Sequence, residues 1–416
     1  MATIKQVLAR QIFDSLGNPT LQTTVILDSG TIGIAKVPSD EVKNLTEAME
    51  LRDGDISKYK GMGLSKAIEI VNTVIAPAVI GLDPLNQTVL DNALITLDAT
   101  PDKSKLGANS MLSVSQAVSV AAAASLNLPA ASYIAQITNN KAIKIPTPMF
   151  NLIEGGRRME NTLNFQEFLI IPASSRTYSE GLDIGVSVYH SLRDQMKERG
   201  MNTLSAEGGG FSPEVGINKS ALTFLKEAIE ASGITFSLDV FMGLDVAANT
   251  FYIDKKYKLI DRAAEYSSAD LVSYYEELFK EFALIYFEDA FSTQDIDGWK
   301  KMSEILGDKT LIAGDDLITT NPYKLNHAIE SNLIGGVMVK PDQIGTLSEA
   351  MAVAAIAKFK NLKIIVSGRC GETADTFIAD FAVGIGADYV KFGAPARERM
   401  IKYNRLLELE EEIKSS

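Results

Sequence analysis

Eight short apolar runs recur across the last two thirds of this 416-residue chain, each ending in a polar or glycine-rich patch. They constrain the fold more than any other feature. The runs cover residues 143–151, 165–172, 241–247, 284–289, 311–316, 336–340, 364–367 and 389–391. Runs this short suit buried strands, and helical patterns lie between most of them, as at 221–231, 268–282 and 347–359. Buried strands that alternate with helices close into a β/α barrel. The expected class is therefore α/β, with a (β/α)8 TIM barrel over residues 137–416. The first two runs stand too close together for a full helix between them, so the barrel is expected to start irregularly.

Residues 1–136 read differently. Residues 20–27 alternate and are rich in β-branched side chains, which predicts a strand. It is entered through the turn Asp14-Ser15-Leu16-Gly17-Asn18-Pro19. Helices are expected at about 65–80 and 107–127. This makes an α+β domain, hairpins first and helices after. No low-complexity linker follows it, so a tight interface with the barrel is expected.

Composition narrows the function. A hydrophobic content of 46% with 22% charged residues fits a globular chain. The net charge of -13 argues against nucleic acid as a partner, because phosphate binding needs surplus Lys and Arg. The small-apolar run 117–128, broken by Ser119 and Ser125, is too short to span a bilayer and reads as a buried helix. No membrane insertion is expected. One cysteine, Cys370, cannot form an intrachain disulfide, which fits a reducing compartment. Residues 1–10 lack the apolar core of a signal peptide, so a cytoplasmic location is expected.

In such a barrel the active site lies at the carboxyl ends of the strands. Asp245, Glu288 and Asp315 fall at the ends of the third, fourth and fifth runs. Lys340 ends the sixth, Arg369 follows the seventh and Lys391 ends the eighth. Any one of these acids could be a helix cap or a loop ion pair. Three in succession, followed by two lysines, converge on one point. Converging carboxylates repel unless a hard cation such as Mg2+ takes their oxygens. A lysine facing that cation has a lowered pKa and can remove a proton next to a carboxylate, while the metal stabilises the enediolate. Lys340 is the candidate base, Lys391 the electrostatic partner of the carboxylate, and Arg369 an anchor for an anionic group.

These residues sit in motifs that resemble enolase. They are Asp14-Ser15-x-Gly17-Asn18-Pro19-Thr20, Glu50-Leu51-Arg52-Asp53-Gly54-Asp55, Lys105-Leu106-Gly107-Ala108-Asn109 and Phe165-Gln166-Glu167-Phe168. Further along come Leu244-Asp245-Val246-Ala247-Ala248, Phe287-Glu288-Asp289, Gly314-Asp315-Asp316-Leu317, Val339-Lys340-Pro341-Asp342-Gln343-Ile344-Gly345 and Lys402-Tyr403-Asn404-Arg405-Leu406-Leu407. The resemblance covers nearly the whole chain, in order. It implies an enolase-type modified barrel preceded by an α+β capping domain, Mg2+ on Asp245, Glu288 and Asp315, and Lys340 as general base. It further implies a small phosphorylated acid as substrate, bound by Arg369, Lys391, Glu167, Gln166, Arg158 and Cys370. The family reaction is the reversible dehydration of 2-phosphoglycerate to phosphoenolpyruvate, and a homodimer or larger assembly is implied. Leu16 stands where the family usually has Arg, which would alter a family-like subunit contact.

The departures from the family gather at the active site. The loop Ser39-Asp40-Glu41-Val42-Lys43-Asn44 keeps its length but puts Val42 where the family has a hydroxyl that holds a second magnesium. Valine has no lone pair for a hard cation, so one metal is expected. The family's Asn-Gly-Gly-x-His reads Glu154-Gly155-Gly156-Arg157-Arg158, and Arg158 replaces a histidine. Arginine cannot shuttle protons near neutral pH but can clamp an anion. In Ser367-Gly368-Arg369-Cys370-Gly371-Glu372, Gly368 replaces a histidine and is expected to open space. The family's Gly-Asp-Glu-Gly-Gly-Phe, whose Glu protonates the departing hydroxide, reads Ala206-Glu207-Gly208-Gly209-Gly210-Phe211. Aligned on Phe211 the acid becomes Gly208; aligned on the acid, Glu207 fills the role beside an inserted glycine. Both remain open at this point. His190 and His327 match no catalytic position and are expected to be structural. Three functions fit: an enolase-type lyase, an enzyme acting on another small anionic acid such as a phosphonate, and a non-catalytic scaffold.

Overall fold

The computed structural model describes residues 2–39, 46–156 and 163–415. An antiparallel meander opens the chain: β1 (Ile4–Phe13), β2 (Pro19–Leu27) and β3 (Ile32–Lys36). Asp14 builds the first turn. Its Oδ1 accepts the N–H groups of Leu16 and Asn18 at 2.9 and 2.8 Å, and Gly17 takes a left-handed φ of 82°. The helix expected near 65–80 is α1 (Ser65–Ile70), a π turn over Val71–Ile75, and α2 (Ala76–Val79). Pro77, with no N–H to donate, is the second residue of α2 and accounts for the widened turn. The sequence reading has no counterpart for α3 (Gln87–Asp98), although Asn86 caps it by accepting the Val89 N–H.

α4 (Ala108–Ser125) is buried along almost its whole length, and α5 (Ala130–Ile137) follows it. The sheet covers one side of α4. A Cβ on Gly33 of β3 would lie 2.2 Å from the Ala117 carbonyl oxygen, so strand and helix approach this closely only through glycine. The barrel covers another side, where Ser115 Oγ accepts the Leu347 N–H at 3.1 Å and Gln116 Nε2 donates to Asp375 at 3.3 Å. Packing between two layers explains the run of Ala and Ser. Among the described residues no single helix is long and apolar enough to cross a membrane; α4 and α5 meet that test only as a pair bent by 101°.

The barrel has the eight strands expected. They are β4 (Thr147–Glu154), β5 (Glu167–Pro172) and β6 (Val240–Asp245), then, past the short hairpin of β7 (Tyr252–Ile253) and β8 (Lys256–Tyr257), β9 (Leu284–Glu288), β10 (Leu311–Gly314), β11 (Gly336–Val339), β12 (Lys363–Ser367) and β13 (Tyr389–Lys391). β13 pairs with β4 and closes the ring. Helices α6 (Tyr178–Glu198) and α7 (Asn218–Ala231) stand between β5 and β6. α8 (Ser268–Phe282), α9 (Ile296–Leu306), α10 (Pro322–Glu330), α11 (Leu347–Phe359) and α12 (Phe377–Ile385) alternate with the later strands, and α13 (Met400–Ser415) ends the chain. α8 and α11 have the bounds expected from sequence.

The irregular start is a reversed strand. β5 is antiparallel to both β4 and β6, while the other barrel pairings are parallel. The amino end of β5 therefore lies at the mouth with the carboxyl ends of its neighbours. Glu167 is level with Glu154 on one side and Asp245 on the other, and Asp245 is level with Glu288. Met149, Leu169, Ile171, Tyr286, Met338 and Ile365 fill the interior below.

Candidate active site

The mouth of the barrel holds a cavity whose wall includes Glu167, Asp245, Lys340, Arg369 and Lys391. Asp245 ends β6, Glu288 ends β9 and Lys391 ends β13; Asp315 and Lys340 directly follow β10 and β11. Strand alternation aims all five side chains inward at one level.

Lys391 is the hub. Its Nζ lies 2.7 Å from Glu288, 2.9 Å from Glu167 and 3.0 Å from Asp245. Burial alone would lower its pKa, but Asp245, Glu167 and Glu288 outweigh burial and raise it well above the usual lysine value. Lys340 Nζ lies 2.5 Å from Asp315 Oδ2, and here too the carboxylate overcomes burial and raises the lysine. Asp315 is lowered in return: burial pushes it up, and Lys340 more than offsets this. Burial, followed by Asp245, pushes Glu288 up to about 8. Burial also raises Asp245, against the pull of Lys391.

Four carboxylates, Glu167, Asp245, Glu288 and Asp315, share two ammonium groups. With all six ionised, two negative charges are left, which one divalent cation would neutralise. The oxygens agree. Asp245 Oδ1 and Glu288 Oε1 are buried with no hydrogen bond among the described residues. Their partner oxygens are occupied: Asp245 Oδ2 accepts from Gln166 Nε2 at 3.1 Å, and Glu288 Oε2 from the Tyr286 hydroxyl at 2.8 Å. Buried carboxylate oxygens without donors suit a hard cation. The donor set thus fits magnesium. Glu288, Asp289 and Asp315 bring ligand oxygens within 4.8 Å of one another. Asp289 is better described as a clamp, since its two oxygens accept the Asp315 and Asp316 N–H groups at 3.0 and 2.8 Å.

Arg369 lies in the cavity wall but is already paired. Its guanidinium meets Glu47 at 2.6 Å and Asp342 at 3.0 Å, all of them buried or nearly so. An anion binding there must share or replace these partners. Cys370 is buried in the same wall, with its carbonyl accepting from Arg399 at 2.6 Å. The space expected at Gly368 is partly filled. A Cβ there would lie 2.8 Å from Glu372 Oε1, which accepts the Arg369 N–H, while Glu372 Oε2 pairs with Lys402. His190 and His327 are exposed on α6 and α10, outside the cavity wall. Val42, Arg157 and Arg158 lie outside the described residues.

The glycine loop takes the arrangement that follows from aligning on Phe211. Phe211 is locked to β4 by backbone bonds to Leu152 and Glu154 at 2.8 and 2.7 Å. Gly208 is buried in the cavity wall, whereas Glu207 is exposed and contributes only its carbonyl, which accepts from Arg399 at 2.9 Å. The Glu207 side chain is therefore not brought together with the lysines and carboxylates.

The sequence reading names Glu154 in its loop motif but gives it no role at the site. The first apolar run ends at Asn151, but β4 continues through a bulge to Glu154, whose side chain is buried at the mouth. Like β6 and β9, β4 ends on an acid, and that shared strand-end position is the signal that marks Glu154.

Residues 4–134 match the family model described as "Enolase, N-terminal domain", and residues 142–416 match "Enolase, C-terminal TIM barrel domain". A curated relative from Anaplasma phagocytophilum (strain HZ), named "Enolase", is 44% identical over 414 residues, which span 99% of this chain and 95% of the relative.

Proposed function

The chain belongs to the enolase family, and from that premise we propose that it is a magnesium-dependent hydro-lyase acting on a small phosphorylated carboxylic acid, with 2-phosphoglycerate as the first substrate to test. The observation that carries this reading is the pair of donorless buried oxygens on Asp245 and Glu288, set beside two lysines within one ring of carboxylates. In this reading Asp245, Glu288 and Asp315 hold one Mg2+. Magnesium, when bound, supplies electrostatic stabilisation to the enediolate carboxylate.

The chain's own residues do the rest. Lys340 accepts the proton from the carbon next to the carboxylate. It acts from its neutral form, which needs Asp315 to be engaged elsewhere than on its Nζ. Lys391 faces the developing negative charge, pre-positioned by Glu167, Asp245 and Glu288. Gln166 steadies Asp245 through its amide. Arg369 exchanges Glu47 or Asp342 for the substrate's phosphate, with Cys370 in the same wall; Arg158, which the resemblance assigns to substrate binding, lies outside the described residues. Residues 1–136 form the capping domain and 137–416 the barrel; the assembly is a homodimer or larger, and the location is cytoplasmic. A second reading, another small anionic acid such as a phosphonate, is favoured by Gly208, which presents no side chain where the family has its acid.

The test is the purified protein with Mg2+ and 2-phosphoglycerate. Phosphoenolpyruvate is followed by absorbance, and loss of the α-proton signal in D2O by NMR. Turnover that disappears in Lys340→Ala supports the first reading. Exchange absent with 2-phosphoglycerate but present with a phosphonate analogue supports the second. Absence of exchange with both sinks the enzymatic reading.

A further inference from the structure

The geometry points to Glu154 as the group that protonates the departing hydroxide, a carboxylate moved from the glycine loop to the end of β4. This rests on the proton-abstraction reading above. A Cβ built on Gly208 would lie 2.7 Å from Glu154 Oε1, and one on Gly210 would lie 3.1 Å from the same oxygen. A side chain at 208 and the carboxylate of Glu154 thus compete for one volume, and this chain fills it from the strand. Glu154 is buried, and its oxygens accept the N–H groups of Gly208 at 3.2 Å and Gly210 at 2.9 Å. The loop backbone holds the carboxylate in position. Across the β4–β5 ladder Glu154 is level with Glu167, which itself touches Lys391. Asn151 adds an independent sign of a ligand. Its side chain is fully buried, neither polar atom has a hydrogen bond among the described residues, and its Nδ2 lies 3.2 Å from the same Gly208 Cβ position. An amide in that state suits a hydroxyl or water arriving beside Glu154.

The step balances without a further reactant. The C2–H bond breaks and its proton goes to Lys340. The C3–O bond breaks, and the departing hydroxide takes the proton of Glu154 to become water. The electron pair left at C2 forms the C2–C3 double bond. Glu154 is left as a carboxylate and Lys340 as an ammonium.

The experiment uses the full chain with Mg2+ and 2-phosphoglycerate, and reads α-proton exchange and phosphoenolpyruvate formation separately. Glu154→Gln keeps the shape but cannot donate an acid proton. Its elimination rate is expected to fall on the order of a hundred-fold, with exchange within about three-fold of the parent. The double variant Glu154→Asn with Gly208→Glu returns the acid to the loop and is expected to regain elimination at least ten-fold over Glu154→Gln. A purely structural role would reduce exchange and elimination together. That result, or unchanged elimination in Glu154→Gln, or a parent that exchanges but never eliminates, overturns the assignment alone. A parent without exchange removes the proton-abstraction reading and the assignment with it.

Discussion

Replacing Lys391 by methionine deletes one buried positive charge while keeping the length of the side chain. The ammonium stands within 3.0 Å of Glu167, Asp245 and Glu288, so one change strands three carboxylates. Removing one partner of a buried ion pair costs ~3–5 kcal/mol, because the remaining charge is desolvated and unpaired. The folded variant can relieve this by taking up a proton, and Glu288 is the first acceptor because burial and Asp245 already push it up to about 8. A carboxylate whose folded value exceeds its unfolded value binds a proton in the folded state that the unfolded chain does not hold. Stability therefore falls as pH rises through the window between the two values, then levels off above the folded value. In the parent that window runs from the ordinary glutamate value of 4.5 to about 8. Without Lys391 it extends upward, so the variant should lose a further ~1.4 kcal/mol per pH unit relative to the parent above its limit. Urea denaturation in EDTA, from about pH 6 to about pH 9, measures the difference. The expected deficit is ~3 kcal/mol at the acid end, widening to ~4.4 kcal/mol at the alkaline end. A deficit that stays constant with pH would refute the shared-ammonium account.

Other changes probe the same centre. Asp245→Asn removes a donorless buried oxygen from the proposed metal set and should weaken Mg2+ binding at least ten-fold, about 1.4 kcal/mol, in isothermal titration. Glu47→Ala removes a buried carboxylate that stands 2.6 Å from the Arg369 guanidinium and should cost ~3 kcal/mol of stability, read by urea denaturation. Asp289→Ala frees the Asp315 and Asp316 N–H groups; a loss of ~1–3 kcal/mol is expected, with Mg2+ binding weakened because Asp315 is no longer held. An Asp289→Ala protein with unchanged Mg2+ affinity would show that the clamp does not position the metal set.

The barrel was legible because its strands are short, apolar and punctuated, and because strand alternation fixes which terminal residue points inward. That rule finds Asp245, Glu288, Asp315, Lys340 and Lys391 without reference to any relative. It fails for Glu167, which opens β5, and for Gln166 just before it, since a reversed strand brings its first residues to the mouth; only motif resemblance marks them. It missed Glu154 because the bulge after Asn151 interrupts the apolar pattern before the strand ends. Arg369 was legible as a cation at a strand end, but its pairing with Glu47 joins residues 322 positions apart and has no local signature. The choice between Glu207 and Gly208 needed three dimensions. It turns on Phe211 being pinned to Leu152, a contact that sequence spacing does not encode.

The reversal of β5 imposes a parity on the path of the chain. A strand that descends delivers the chain to the floor of the barrel, where the ascending β6 must also begin. A single helix would leave the chain at the rim, so an even number of helical traverses is required, and α6 and α7 supply two. Their junction is forced to the rim, and the glycine loop occupies that junction. The loop is thus a by-product of strand direction rather than an insertion laid over a finished barrel. It comes with the reversal, which makes the rim beside β4 and β5 a place where acid chemistry can change hosts between strand and loop while the barrel stays the same.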